Sequence, residues 1–200
     1  MRLLVAVLCL GLAATLAGCV ETPPGSLYPM YSSDKDVAMD PSLVGEWRDN
    51  SDPSHPGKWF FRGGDEPGVY LLGIVSADDR STCKTRLVRS ESLLFLDVLP
   101  LDSSWNDNAE ASGLRVSLHA FFRLEKEGDR LRLSYLSPDW YQQQLELKQF
   151  PLTVERLGDD VPVITSPSEE VRAFYTRAAA APEAFVEIVT LRRYQAPAGR

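Results

Sequence analysis

Apolar and polar residues alternate most regularly between Leu114 and Leu124. Leu114, Val116, Leu118, Ala120, Phe122 and Leu124 fall on one face at period two, with Arg115, Ser117, His119, Phe121 and Arg123 on the other. Successive strand side chains point to opposite faces, so this spacing predicts a strand with one wholly apolar face. Glu127-Gly128-Asp129 then supplies turn residues, and Leu131, Leu133 and Tyr135 alternate again within Arg130–Leu136, which makes a hairpin. Shorter β-type runs precede it at Leu43–Arg48, Lys58–Arg62, Val69–Val75, Cys83–Arg89 and Leu93–Leu99, separated by turn-rich stretches such as Gly63-Gly64-Asp65-Glu66-Pro67-Gly68. Ser90-Glu91-Ser92 predicts a tight hairpin, and Leu101 to Gly113, polar and aperiodic, a longer loop.

The period changes toward the C-terminus. Ser137-Pro138-Asp139 offers an N-cap, a proline at the first helical position and an early acid, with Trp140, Tyr141 and Leu145 at helical spacing behind it. Ser166-Pro167-Ser168-Glu169 has the spacing of a capping box, and Val171, Phe174, Tyr175 and Ala178 continue as an apolar stripe. Helices are therefore expected over Ser137–Leu147 and Ser166–Ala181. Val161–Thr165 and Glu187–Arg193 supply late strands, the last able to close the sheet. Many short strands with two helices in the C-terminal part predict a mainly β protein, an antiparallel meander barrel.

The first residues have a separate logic. Arg2 precedes the apolar run Leu3 to Leu12, which is too short for the roughly 20 residues of a spanning helix and suits a signal peptide. The run ends in Leu16-Ala17-Gly18-Cys19, which resembles the bacterial lipobox. That resemblance implies cleavage before Cys19, acylation of its thiol and a membrane anchor made of acyl chains. Val20 follows where an Asp often marks inner-membrane retention, so the resemblance implies the outer membrane, with the body facing the periplasm. The expected division is 1–18 signal peptide, 19–41 lipidated Cys and flexible tether, 42–194 folded domain, and 195–200 disordered tail. The tether is expected because Pro and Ser recur in it without apolar periodicity.

Gly45-Glu46-Trp47 on the first strand resembles the lipocalin signature, whose Trp packs across the closed end of the barrel. The chain from Leu43 to Arg193 resembles lipocalin-like bacterial lipoproteins in Leu93-Leu94-Phe95-Leu96-Asp97, His119-Ala120-Phe121-Phe122-Arg123 and Gly128-Asp129-Arg130-Leu131. Trp47 is accordingly the barrel-closing candidate. Two helices before the last strand depart from the usual single lipocalin helix.

Charge and cysteines narrow the partners. Cleavage would remove 18 of the 200 residues together with the cation Arg2, leaving 182 residues and a formal charge of −8 instead of −7. An acidic surface opposes nucleic acid, so none is expected. Cys9 leaves with the signal, Cys19 is consumed by the lipid, and Cys83 remains as a strand cysteine beside Lys84, Arg80 and Arg86. This excludes an intramolecular disulfide and a Cys-ligated metal, and no cofactor is expected.

Catalysis finds little support. The chain has two histidines: His55 in Ser54-His55-Pro56-Gly57, a turn, and His119 on a strand face with Arg115 and Arg123. No Gly-x-Ser-x-Gly elbow, phosphate-binding glycine loop or two-histidine metal spacing occurs. The expected protein is not an enzyme and holds no metal.

Two binding sites are then candidates. Trp59, Phe61, Tyr70, Leu72, Phe95 and Phe122 are the expected lining for a small apolar or amphipathic ligand. Arg115, His119 and Arg123 form a polar cluster that faces either a head group in the lumen or solvent. Asp97, an acid within an apolar strand, is expected to pair with Arg86 or Arg89. Aromatic residues on both faces of neighbouring strands imply either an open lumen or a second covering layer made by the helices. The alternative to a ligand site is a filled barrel serving as a scaffold for an envelope protein.

Overall fold

The computed structural model describes residues 24–49, 57–76, 80–101, 117–147, 152–157 and 161–195. Arg115, His55 and the acylation candidate Cys19 lie outside them, as do most of the long loop and residues 196–200. The first described elements are two short strands, β1 (Gly25–Ser26) and β2 (Val37–Ala38), and a 3-10 turn at Pro41–Leu43. Seven strands follow: β3 (Gly45–Asp49), β4 (Gly57–Gly63), β5 (Val69–Val75), β6 (Arg80–Ser90), β7 (Leu93–Pro100), β8 (Ala120–Glu127) and β9 (Arg130–Leu136). Helix α1 (Pro138–Glu146), strands β10 (Val154–Leu157) and β11 (Val161–Ile164), helix α2 (Ser168–Ala178) and strand β12 (Phe185–Arg193) complete it.

β3 to β9 are joined by sequential antiparallel pairing, and β12 pairs with both β9 and β3, so eight strands close a barrel. The Glu187–Arg193 run does close the sheet, as its position suggested. β11 does not enter the barrel: it lies between β1 and β10 in a separate three-stranded sheet. The alternating run of Leu114–Leu124 forms its strand later than its pattern indicates, from Ala120 to Glu127, with the turn at Gly128-Asp129 where Gly128 has φ +59°.

Residues 24–40 correct the flexible-tether expectation. They form a strap running down the outside of the barrel, and Met30 within it is fully buried. Ser26 exchanges two backbone hydrogen bonds with His119, at 2.9 and 2.8 Å, and the Leu27 amide donates to the Ile164 carbonyl at 2.9 Å. The Met30 amide donates to Asp97 Oδ2 at 2.8 Å. β2 pairs farther down, Val37 opposite Val88 and Ala38 opposite Leu87. The strap lacks periodicity because isolated side chains and backbone bonds hold it, with no repeated apolar face. The folded body thus includes residues 24–40, well before residue 42.

Two cores result. Inside the barrel, Leu43, Trp47, Phe61, Leu72, Leu96 and Leu131 belong to one buried cluster. Outside it, Met30, Val88, Phe95, Phe121, Phe174 and Tyr175 belong to another, between β6–β8 and the layer made by strap, small sheet and helices. Of the two alternatives raised by aromatics on both strand faces, an open lumen or a covering layer, the covering layer is present.

α1 starts as its sequence indicates, with Ser137 Oγ accepting from the Trp140 amide at 3.3 Å. α2 departs from expectation. Its first helical residue is Ser168, and Ser166, fully buried, accepts from the Thr153 amide at 2.8 Å instead of capping the helix. Burial favours that use, because an unpaired Ser166 hydroxyl beneath the layer would cost about 1–3 kcal/mol.

Candidate functional site

The base of the barrel is built around Trp47. Its indole is fully buried, and Nε1 donates to the Leu43 carbonyl at 2.8 Å, fixing the 3-10 turn that seals this end. Arg193, at the end of β12, lays its guanidinium over the same ring at 5.2 Å and donates to the Val44 carbonyl at 2.7 Å and to the Ser42 carbonyl. Gly45 stands at φ +137°, a backbone conformation that favours glycine, and a Cβ there would also press on the Arg193 guanidinium at 2.9 Å, which would have to shift. Arg193 could not have been found from local pattern, since it follows Trp47 by well over a hundred residues and joins it only through strand pairing.

Burial changes along the lumen. Phe61, Tyr70 and Leu72 face inward as expected and are buried in the packed lower barrel. They are core, with no ligand needed to cover them. Trp59 and Phe122 face inward near the opposite end, where they are only half-buried, together with Ile74. Strand register adds Tyr135 and Val186, which continue the row opposite Phe122 on the same face; Val186 is 43% exposed. The rim of the barrel is therefore an apolar shelf with Trp59 and Ile74 on one wall and Phe122, Tyr135 and Val186 on the other. Sequence reading missed Ile74, Tyr135 and Val186, although the alternation of Leu131, Leu133 and Tyr135 pointed to the second.

Phe95 is a correction. It belongs to the outer core, edge-on to Tyr175 with ring centroids 6.2 Å apart, and does not line the lumen. In β7 the inward residues are Leu94, Leu96 and Val98, so Phe95 and Asp97 necessarily face the covering layer.

The polar cluster is on that outer face too. His119 Nδ1 is 2.6 Å from Asp97 Oδ1, and Asp97 is buried at 2% exposure. Its two oxygens serve His119 and the Met30 amide, which corrects the expected pairing of Asp97 with Arg86 or Arg89. Arg86 turns instead to Glu66, at 2.5 Å, and lies over the Tyr31 ring. Arg123 pairs with Glu125 at 2.8 Å, away from the His119–Asp97 pair. The cluster thus divides: His119 and Asp97 clasp the strap, and Arg123 is an ordinary strand cation.

The buried phenols near this clasp hold their protons firmly. Burial pushes Tyr141 up to about 12. Tyr175 is raised further, by burial first and then by Tyr141 and Asp97. Cys83, fully buried in the barrel core, is a packing residue. Among the described residues no group of three or more His, Cys, Asp or Glu side chains is placed to hold a metal. No helix among them is long and apolar enough to cross a membrane. Three cavities lined by described residues lie on the outer surface, of about 590 Å³ beside α1, 420 Å³ beside Tyr28 and the start of α2, and 310 Å³ between the strap and Glu66.

A closed eight-stranded antiparallel barrel with a sealed base and two helices is a lipocalin-like fold. No protein-family profile matches the chain, and comparison with curated proteins and with solved structures finds no match.

Proposed function

We propose that this is an outer-membrane lipoprotein, acylated at Cys19 and facing the periplasm, whose lipocalin-like barrel binds a small apolar or amphipathic ligand at its rim without catalysis. The observation that supports the ligand reading is the contrast along the lumen: Trp47, Phe61 and Leu72 are sealed, while Trp59, Phe122 and Val186 leave apolar surface accessible. Apolar surface that converges on a concave rim is the usual form of a small-molecule site. Calorimetry on the unlipidated chain tests it with a fatty acid as probe. Saturable uptake with a negative heat-capacity change, lost in Phe122→Ser, is expected. Absence of saturable uptake would leave the second reading, a scaffold for an envelope protein, which the filled lower barrel favours. Lipidation is tested separately: a fatty-acid analogue should label the natural chain and not Cys19→Ala, and label retained in that variant would reject the anchor.

A further inference from the structure

We infer that the outer wall of the barrel across β4, β3, β12 and β9 is a basic face that lies against an anionic phospholipid surface. This rests on the Cys19 anchor proposed above and adds which side of the body meets the head groups. Strand register sets four cations in one row. Lys58 stands opposite Arg48, Arg48 opposite Arg192, and Arg192 opposite Arg130. Their chain neighbours Trp59, Trp47, Leu191 and Leu131 pack in the lumen, so all four cations point outward. Adjacent strands are about 4.8 Å apart, which makes the row on the order of 14 Å long. Like charges set directly opposite one another destabilise a sheet. The chain as a whole has 28 acids against 21 lysines and arginines. Neither the fold nor the composition calls for such a row.

The row keeps most of its charge. Arg48 is held by Glu46 at 2.8 Å and stacks over the Tyr194 ring. The nearby Glu125 and Glu187 are drawn to Arg132 instead, at 2.9 and 3.4 Å. Among the described residues no carboxylate is paired with Lys58, Arg192 or Arg130; Glu127, opposite Arg130, borders the row without an ion pair. Shape then selects the partner. Small ligands need a concavity, whereas the outside of a barrel is convex. The crevice between Arg130, Arg132, Glu125 and Glu127 has no room even for water. A fluid plane of phosphates suits a convex row, because lipids move sideways to meet each cation. Tyr194 beside the row is the kind of ring that sits among head groups. Four residues, Val20 to Pro23, separate Cys19 from Pro24, so five steps of roughly 3.6 Å keep the body within about 18 Å of the anchor. Surface charges are screened beyond about 8 Å at physiological salt, so the face acts where that leash brings it to contact. Each unpaired cation there favours an anionic surface by on the order of fivefold.

Photocrosslinking tests the face. The chain from Cys19 is coupled through that thiol to a maleimide lipid in phosphatidylcholine vesicles, with or without phosphatidylglycerol; Cys83 is buried and does not compete. Benzoylphenylalanine is placed at Thr190, beside the row on β12, or at Thr82, exposed on β6 across the barrel. With phosphatidylglycerol, lipid adducts several-fold more abundant from position 190 are expected. The difference should vanish at about 1 M salt, where screening reaches about 3 Å, an arm that needs no variant. It should also vanish in Lys58→Glu/Arg192→Glu and persist in Lys35→Glu/Arg89→Glu, which changes the charge equally off the row. Equal adducts from the two positions, or no gain over phosphatidylcholine alone, would overturn the assignment. So would loss of the difference on adding soluble polyglutamate, which would give the face to an acidic protein segment. Chemical coupling makes these outcomes independent of natural acylation, which the Cys19→Ala labelling decides.

Discussion

Trp47 and Phe121 are both screened from water, one inside the barrel and one outside it, and the chain buries them by different means. Trp47 is enclosed by its sequence neighbour β4, by a turn four residues away, and on one side by Arg193 of the closing strand β12. Phe121 needs three separated pieces to arrive together: the strap, the small sheet and α2, whose Tyr175 meets it edge-on at 5.2 Å. The barrel core is therefore built mostly from neighbouring hairpins and closed by one distant strand, β12, whereas the outer core is the product of several long-range dockings. Docked layers open at lower free energy than hairpin-built cores, so the two should come apart in sequence.

The largest effect that bears on this contrast is expected at the base. Trp47→Ala removes the indole that joins Leu43, Arg193 and the lumen, and should cost about 3–5 kcal/mol in denaturant unfolding, with both cores lost together. A loss below about 1 kcal/mol would mean that the base is not a keystone of the barrel.

A smaller effect is expected at the clasp. Asp97→Ala leaves the Met30 amide without its carboxylate partner and should cost about 1–3 kcal/mol. Hydrogen exchange should show faster exchange at Met30 with little change at Leu131. Equal acceleration at both would merge the two cores into one cooperative unit.

Acid should produce the mildest change. Burial raises Asp36, but the Ser32 and Ser33 amides and Arg172 outweigh it and hold the carboxyl down to about 2. Asp40 is likewise lowered: burial opposes the shift, and Lys126 and Ser42 prevail. Both folded values lie below the ordinary 3.8, so their stabilisation is complete above about pH 4 and declines as pH falls toward 2. Residues 32–40 should lose exchange protection in that window before the barrel does. Protection constant from pH 5 to 2 would remove these carboxylates from the account of the strap.

Much of the barrel was legible because period two is a local signal. The β8–β9 hairpin, the closing strand and the Ser137 cap all follow from residues close in sequence. The strap was not legible, since Ser26, Met30 and Val37 each meet a different partner and produce no period. Phe95 failed for another reason. Leu93-Leu94-Phe95-Leu96 is apolar on both faces, so alternation cannot say which side is the lumen once a second layer covers the outside. Ser166 was read as a cap because the capping box is a sequence pattern, whereas its partner Thr153 belongs to tertiary packing. The rim was half legible: Trp59 and Phe122 were named, but Val186 reaches it through a register shift between Glu187 and Val189 that the sequence does not announce.

The strap also gives the molecule a chemical record of its own opening. Its two methionines differ completely in access, Met30 at 0% exposure and Met39 at 66%. Peroxide converts an accessible thioether to the sulfoxide, a polar and chiral group that would not repack in an apolar site. Met39 is oxidised with the strap in place, while Met30 is spared until the segment lifts from Asp97. A pulse of peroxide would thus mark Met39 on every copy and Met30 only on those whose outer layer had come away, and a marked Met30 would resist re-docking.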